Sequence, residues 1–118
     1  METRNFKDLK VWRVGKNLTI EIYRLTALFP LEEKYGLVSQ MRRAAVSIPS
    51  NIAEGFNRLH DKDYRRFLLM ALSSCAELET QLEIGSELEF IADAEKNKIL
   101  DMLDHESRML RKLIKIIS

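Results

Sequence analysis

A single cysteine stands among the 118 residues, so no disulfide closes within the chain. Cys75 shares helical spacing with Leu68, Ala71, Leu72, Leu78 and Leu82, where a thiol reads as inert core rather than nucleophile. The two histidines, His60 and His105, lie far apart, and neither has a ligand partner one turn away. The acids Glu77, Glu79, Glu83, Glu87 and Glu89 do not supply the Glu-x-x-His pairs of di-iron bundles, which excludes that class of metal centre. With four glycines there is no Gly-rich phosphate loop. Ser47, Ser50, Ser73 and Ser74 fall inside helical patterns with no nucleophile elbow. No run approaches 18 apolar residues, and METRNFKDLK lacks a hydrophobic signal core. These absences lead to the expectation of a non-enzymatic, cofactor-free and metal-free protein in the cytoplasm, with no membrane association.

What is present is helix. At 46% hydrophobic and 31% charged, the chain suits one compact helical domain rather than disorder. Apolar residues recur at helical spacing in four segments separated by short breaks. The first spans about 5–28 and stops before Pro30, because the residue preceding proline avoids the α region. The second spans about 32–59, with Gly36 loosening its start. The third covers 62–86 with Asp61 as its expected N-cap, and the fourth covers 93–117 with Asp93 in that role. Four long helices with short connections predict an all-α, antiparallel up-down-up-down four-helix bundle occupying residues 1–118, a rod of about 35–40 Å.

The stretch Gln40–Gly55 is the most distinctive. At 3.6 residues per turn, Gln40, Arg43, Ser47, Ser50, Asn51, Glu54 and Arg58 share a polar arc of roughly 100°. Leu37, Met41, Ala44, Ala45, Ile48, Ile52, Phe56 and Leu59 share a separate apolar arc. Pro49 sits inside this helix at a cost of about 3 kcal/mol, which other contacts have to offset. Further polar residues fall at core-like positions. Ser74 lies inside the apolar arc of the third helix, Glu77 lies at its border, and Glu106 lies between Leu103 and Leu110. A buried carboxylate needs a partner, and Arg42 and Arg43 are the nearest candidates. Met102, Met109 and Ile116 form a second strip on the fourth helix, a candidate self-association surface.

The net charge of +1 conceals strong segregation. Residues 1–70 carry 13 Lys/Arg against 8 Asp/Glu, whereas 77–106 carry 10 acids and only two lysines. Three basic clusters are candidate nucleic-acid contacts, since such binding requires cations that neutralise phosphates. They are Lys7, Lys10 and Arg13 (with Lys16), then Arg58, Lys62, Arg65 and Arg66, then Arg108, Arg111, Lys112 and Lys115.

Four blocks, FKDLKVW, IYRLTALFP, QMRRAAVSIPSNIAEG and FLLMALSSCAELETQL, resemble the bacterial four-helix-bundle family of 23S rRNA-intervening-sequence proteins over roughly residues 6–117. The chain is similar as well to the accessory variability determinant of diversity-generating retroelements, a basic pentameric bundle that works with a reverse transcriptase and RNA. In the family pattern Ser47, Pro49, Asn51, Glu54, Gly55, Ser74 and Glu77 are signature positions, and Ser73 stands where glycine is common. The resemblance implies a ring-shaped homo-oligomer, a pentamer. Pro49, by the kink it imposes, frees the Ala45 carbonyl for an outside donor. Residues and resemblance together predict an oligomeric scaffold or adaptor that binds RNA, DNA or a ribonucleoprotein through basic surfaces. The alternatives are a protein-interaction scaffold with no nucleic-acid role, and an enzyme built on Arg43, Glu54 and Glu77.

Overall fold

A computed structural model describes residues 5–117. Its helices are α1 (Lys10–Thr26), α2 (Leu37–Phe56), α3 (Asp61–Glu87) and α4 (Asp93–Ile116), with 3-10 turns at Phe6–Asp8 and Leu31–Glu33. Cross-helix contacts establish the direction of every neighbour. Between α1 and α2, Gly15 faces Pro49, the Thr19 hydroxyl donates to the Ala45 carbonyl at 2.9 Å, and Arg42 reaches back to Thr26. Between α2 and α3, Ser47 meets Ser74 and Gly55 meets Phe67. Lys96 pairs with Glu83 and Cys75 meets Ser107 across α3 and α4, while Lys98 pairs with Glu21 and Gly15 faces Glu106 across α1 and α4. Each pair runs antiparallel, giving the up-down-up-down bundle, 44 Å in its longest dimension.

The apolar arcs close on one core. Leu18, Ile22, Met41, Ile48, Ile52, Leu68, Leu78, Leu82, Ile99, Leu103 and Leu110 are fully buried. Met102 and Met109, expected on an outer strip, are half-buried and pack against that core, while Ile116 of the same strip is 70% exposed. Cys75 is buried as expected, and burial pushes its thiol up to about 12.

The helix ends differ from expectation for local reasons. Residues 5–9 do not extend α1. Asn5 Oδ1 accepts the Lys7 N–H, and the Arg13 guanidinium clamps the turn by donating to the Lys7 and Asp8 carbonyls at 3.1 and 2.8 Å. The second helix starts five residues late, at Leu37, because Leu31–Glu33 close a tight turn and Gly36 has non-helical φ and ψ of −108° and −112°. Neither expected aspartate is an N-cap. His60 and Ala92 occupy those positions, and Asp61 and Asp93 lie one residue inside, where the helix dipole favours an acid.

α2 continues unbroken through Pro49. The carbonyl that Pro49 leaves unbonded is Ala45, and Thr19 supplies the outside donor, its one hydroxyl proton shared between the Ala45 and Gly15 carbonyls, each at 2.9 Å. Thr19→Val is therefore expected to cost about 1–3 kcal/mol by orphaning a part-buried acceptor. The loss should shrink in a Pro49→Ala background, where residue 49 regains its own N–H. Urea unfolding of the double-mutant cycle measures the difference, and equal losses in both backgrounds would contradict this assignment.

At the end of α3, the Phe90 N–H bonds the Gly85 carbonyl and the Glu89 N–H bonds the Ser86 carbonyl. This closure places Glu89 at φ 63°, a left-handed conformation that glycine adopts freely. Glu89→Gly should raise stability by about 1 kcal/mol, seen as a higher urea midpoint.

Candidate nucleic-acid interface

Antiparallel packing carries the three basic clusters to the same end of the rod. The start of α1, the α2–α3 corner and the end of α4 all lie there, and Asp61, Lys62 and Arg65 share a small cleft with Ile117. Residues 7–16, 58–66 and 107–115 contain twelve Lys/Arg against three Asp/Glu. The opposite end, residues 28–36 and 79–98, contains eight acids against three lysines. α3 and α4 thus carry an end-to-end charge reversal along their length and α1 adds cations at the basic end, whereas α2 runs against it, with Arg42 and Arg43 in its first half and Glu54 in its last turn.

The cations at this end differ in what they already hold. Arg13 is committed to its clamp on the 3-10 turn. Arg58 pairs with Glu54 at 3.1 Å, and Arg108 with Asp104 at 2.9 Å. Both pairs are solvent-exposed and worth about 0–1 kcal/mol, so a phosphate can replace the carboxylate at little cost. Arg58 and Arg66 each lie 4.7 Å from the Phe67 ring centroid, Lys7 lies over Phe6, and Lys16 lies over Trp12. Lys10, Lys62, Arg65, Arg111 and Lys112 are exposed, with no hydrogen bond or ion pair among the described residues. Lys115 is exposed beside them on the last turn of α4. Phe56 and Tyr64 stack edge-on beneath the corner, 6.1 Å apart, and burial raises the Tyr64 pKa. Gly55 makes that corner possible, because a Cβ there would stand 2.8 Å from Phe67 Cβ.

The signature residues separate into two groups. Ser47 and Ser74 share a 2.7 Å hydrogen bond between α2 and α3, and Asn51 Nδ2 donates to the Ser47 carbonyl and hydroxyl at 2.8 and 2.9 Å. This set fixes helix register. Arg43 and Glu77 are exposed and line a cleft of about 390 Å³ with Gln40, yet they form no ion pair with each other. Glu54 lies on a different cleft, so Arg43, Glu54 and Glu77 do not converge on one site.

Glu106 overturns the partner expected for it. It is 0% exposed, and neither carboxylate oxygen has a hydrogen-bond partner among the described residues. Arg42 donates instead to Thr26 Oγ1 and the Tyr23 carbonyl, and Arg43 faces solvent. Glu106 fits because α1 offers Gly15 opposite it, where a Cβ would lie 2.7 Å from Oε2. Desolvation pushes its pKa up to about 8. No group of three or more metal-ligating side chains occurs among the described residues, and no described helix is long and apolar enough to cross a membrane. The sequence reading missed the grouping of Tyr23, Lys34, Tyr35 and Arg42 on one flank, which requires the α1–α2 register. The only linear signal was the Lys34–Tyr35 pair in a turn.

The architecture defines an all-α four-helix-bundle protein. Residues 7–112 match the family model of the 23S rRNA-intervening sequence protein, and the chain belongs to that family. A crystal structure of a protein of unknown function from the S23 ribosomal protein family of Bacteroides thetaiotaomicron shares the fold. It matches with a TM-score of 0.81 and 22% identity, over 89% of this chain and 98% of that one. No curated protein matches the chain.

Proposed function

We infer that this protein is a non-enzymatic adaptor of the cytoplasm that associates with RNA, DNA or a ribonucleoprotein through the basic end of its bundle. The observation that carries this reading is the convergence of three basic clusters, distant in sequence, on one end, with Lys10, Lys62, Arg65, Arg111 and Lys112 free to meet phosphates. Phosphate contacts of this kind position a partner without reading its sequence, so the reading concerns backbone recognition.

Self-assembly belongs to the same proposal. Ile20, Leu69, Met70 and Ile84 stand 40–45% exposed on the sides of the helices, apolar surface suited to a second copy. A ring would repeat the basic end and multiply weak contacts. Light scattering should then give a mass of several 13.8 kDa chains, and a monomer mass removes the ring.

The binding test is fluorescence anisotropy of a labelled RNA hairpin and a DNA duplex with the wild type and with Lys62→Glu/Arg65→Glu/Lys112→Glu. The triple variant is expected to lose at least about tenfold in affinity. A variant carrying Glu83→Gln and Glu87→Gln at the opposite end should bind as the wild type does. Equal affinity of the wild type and the triple variant would sink the basic-end reading. Stoichiometric capture of one protein, insensitive to nuclease, would favour the protein-interaction scaffold in its place.

A further inference from the structure

A second surface lies away from the basic end. A groove of about 680 Å³ runs along α2 from Val38 to Asn51, bounded by Tyr23 of α1 and by Lys34 and Tyr35 of the connecting turn. Ligand pockets commonly measure about 300–1,000 Å³. Its lining includes three cations, Lys34, Arg42 and Arg43, and no carboxylate. The cations have different roles. Arg42 is held in place: Nε donates to Thr26 Oγ1 at 2.9 Å, a terminal nitrogen donates to the Tyr23 carbonyl, and the guanidinium lies 4.5 Å from the Tyr23 ring centroid. Thr26 is itself buried, and its hydroxyl donates to the Ile22 carbonyl at 2.7 Å. Arg42 is thus a preorganised flat cation on an aromatic ring. Arg43, the next residue, has no hydrogen-bond or ion-pair partner among the described residues. Lys34 lies 5.5 Å from the Tyr35 ring, which is 88% exposed at the rim. Ser50 adds a hydroxyl without a partner among the described residues.

These groups sort by chemistry. Guanidinium, ammonium and hydroxyl donors suit a phosphate, and Glu77, on the neighbouring cleft that Arg43 also lines, forms no ion pair with it. A guanidinium plane and an exposed phenol suit a flat heterocycle, which stacks on both. We propose that this groove binds a nucleoside monophosphate, with the phosphate on Arg43 and Lys34 and the base on the Arg42–Tyr23 stack and the Tyr35 ring. The site is separate from the basic end and stands whether or not that end binds nucleic acid. A free mononucleotide and one unpaired nucleotide of an RNA strand present the same chemistry.

The test is isothermal titration calorimetry of the full chain with adenosine 5′-monophosphate, adenosine, inorganic phosphate and a short adenylate oligomer. Saturable binding of the monophosphate is expected, with adenosine and phosphate each weaker by about tenfold or more. Arg43→Ala should lower monophosphate affinity about tenfold. Tyr35→Ala should lower it about fivefold or more while leaving phosphate binding unchanged. Both side chains are exposed, so melting temperatures should match the wild type. Lys62→Glu/Arg65→Glu should leave monophosphate affinity intact, which separates this site from the basic end. Equal affinity for monomer and oligomer identifies a free-nucleotide site, and tighter oligomer binding that Arg43→Ala weakens identifies one that takes a strand. Absence of binding at millimolar monophosphate, or binding that survives both Arg43→Ala and Tyr35→Ala, overturns the proposal.

Discussion

Raising the pH from 5 to 8 should destabilise this fold by several kilocalories per mole, and Glu106→Gln should remove most of that loss. Glu106 lies at the crossing of α1, α2 and α4, with Gly15, Ile48 and Pro49 around its carboxyl and Cys75 nearby on α3. Neither carboxylate oxygen accepts a hydrogen bond from the described residues. Burial alone raises its pKa from 4.5 to about 8. Between those values the folded chain keeps a proton that the unfolded chain releases, so stability falls as pH rises. The slope is about 1.4 kcal/mol per pH unit. Below the unfolded value both states are protonated, and above the folded value both are ionised, so the curve is flat outside the window. The full span approaches roughly 5 kcal/mol, a large part of the 5–15 kcal/mol that holds a typical domain together. Glutamine has the same shape and does not titrate. Urea unfolding at half-unit pH intervals should show Glu106→Gln level across the window, close to the wild type at pH 5 and more stable at pH 8. A wild-type slope that persists in Glu106→Gln would assign the titration to another group.

The second large effect is expected in salt. Each phosphate neutralised releases counterions, so log K falls against log salt with a slope of about −0.9 per contact on duplex and −0.7 on single strands. The five cations left unengaged at the basic end give an expected slope of about −4.5 on duplex. From 50 to 200 mM salt this amounts to a loss of a few hundredfold in affinity. Lys62→Glu/Arg65→Glu/Lys112→Glu should flatten the slope by about three contacts, whatever the sequence of the nucleic acid. A steep slope retained by that variant would move the phosphate contacts elsewhere on the surface.

The bundle was legible because its signal is local and repeated. Heptad-like spacing of Leu, Ile and Ala marked each helix, and short polar breaks implied antiparallel neighbours. The departures sit where long-range contacts decide. Residues 5–9 continue the helical pattern, yet the Arg13 clamp stabilises a 3-10 turn there. Met102 and Met109 look like an outer strip on a helical wheel but are half-buried once α3 and α1 close around α4. Glu106 was visible as a core-like acid, but the reason it is tolerated is space at Gly15, ninety-one positions earlier, rather than a cation. The basic clusters could be read individually. Their convergence depends on helix direction and register, set by pairs such as Thr19–Ala45 and Ser47–Ser74. The flank groove was illegible for the same reason, since α1–α2 packing brings Tyr23 to Arg42 and the connecting turn brings Tyr35 alongside.

The central claim is that folding gathers three separate basic segments into one phosphate-binding surface. Mapping backbone amide shifts by NMR during titration with a short RNA hairpin tests it most directly. The account predicts saturable perturbations at residues 7–16, 58–66 and 107–115, with little change in 79–98. Perturbations centred on the acidic end, or none at low salt, would contradict it.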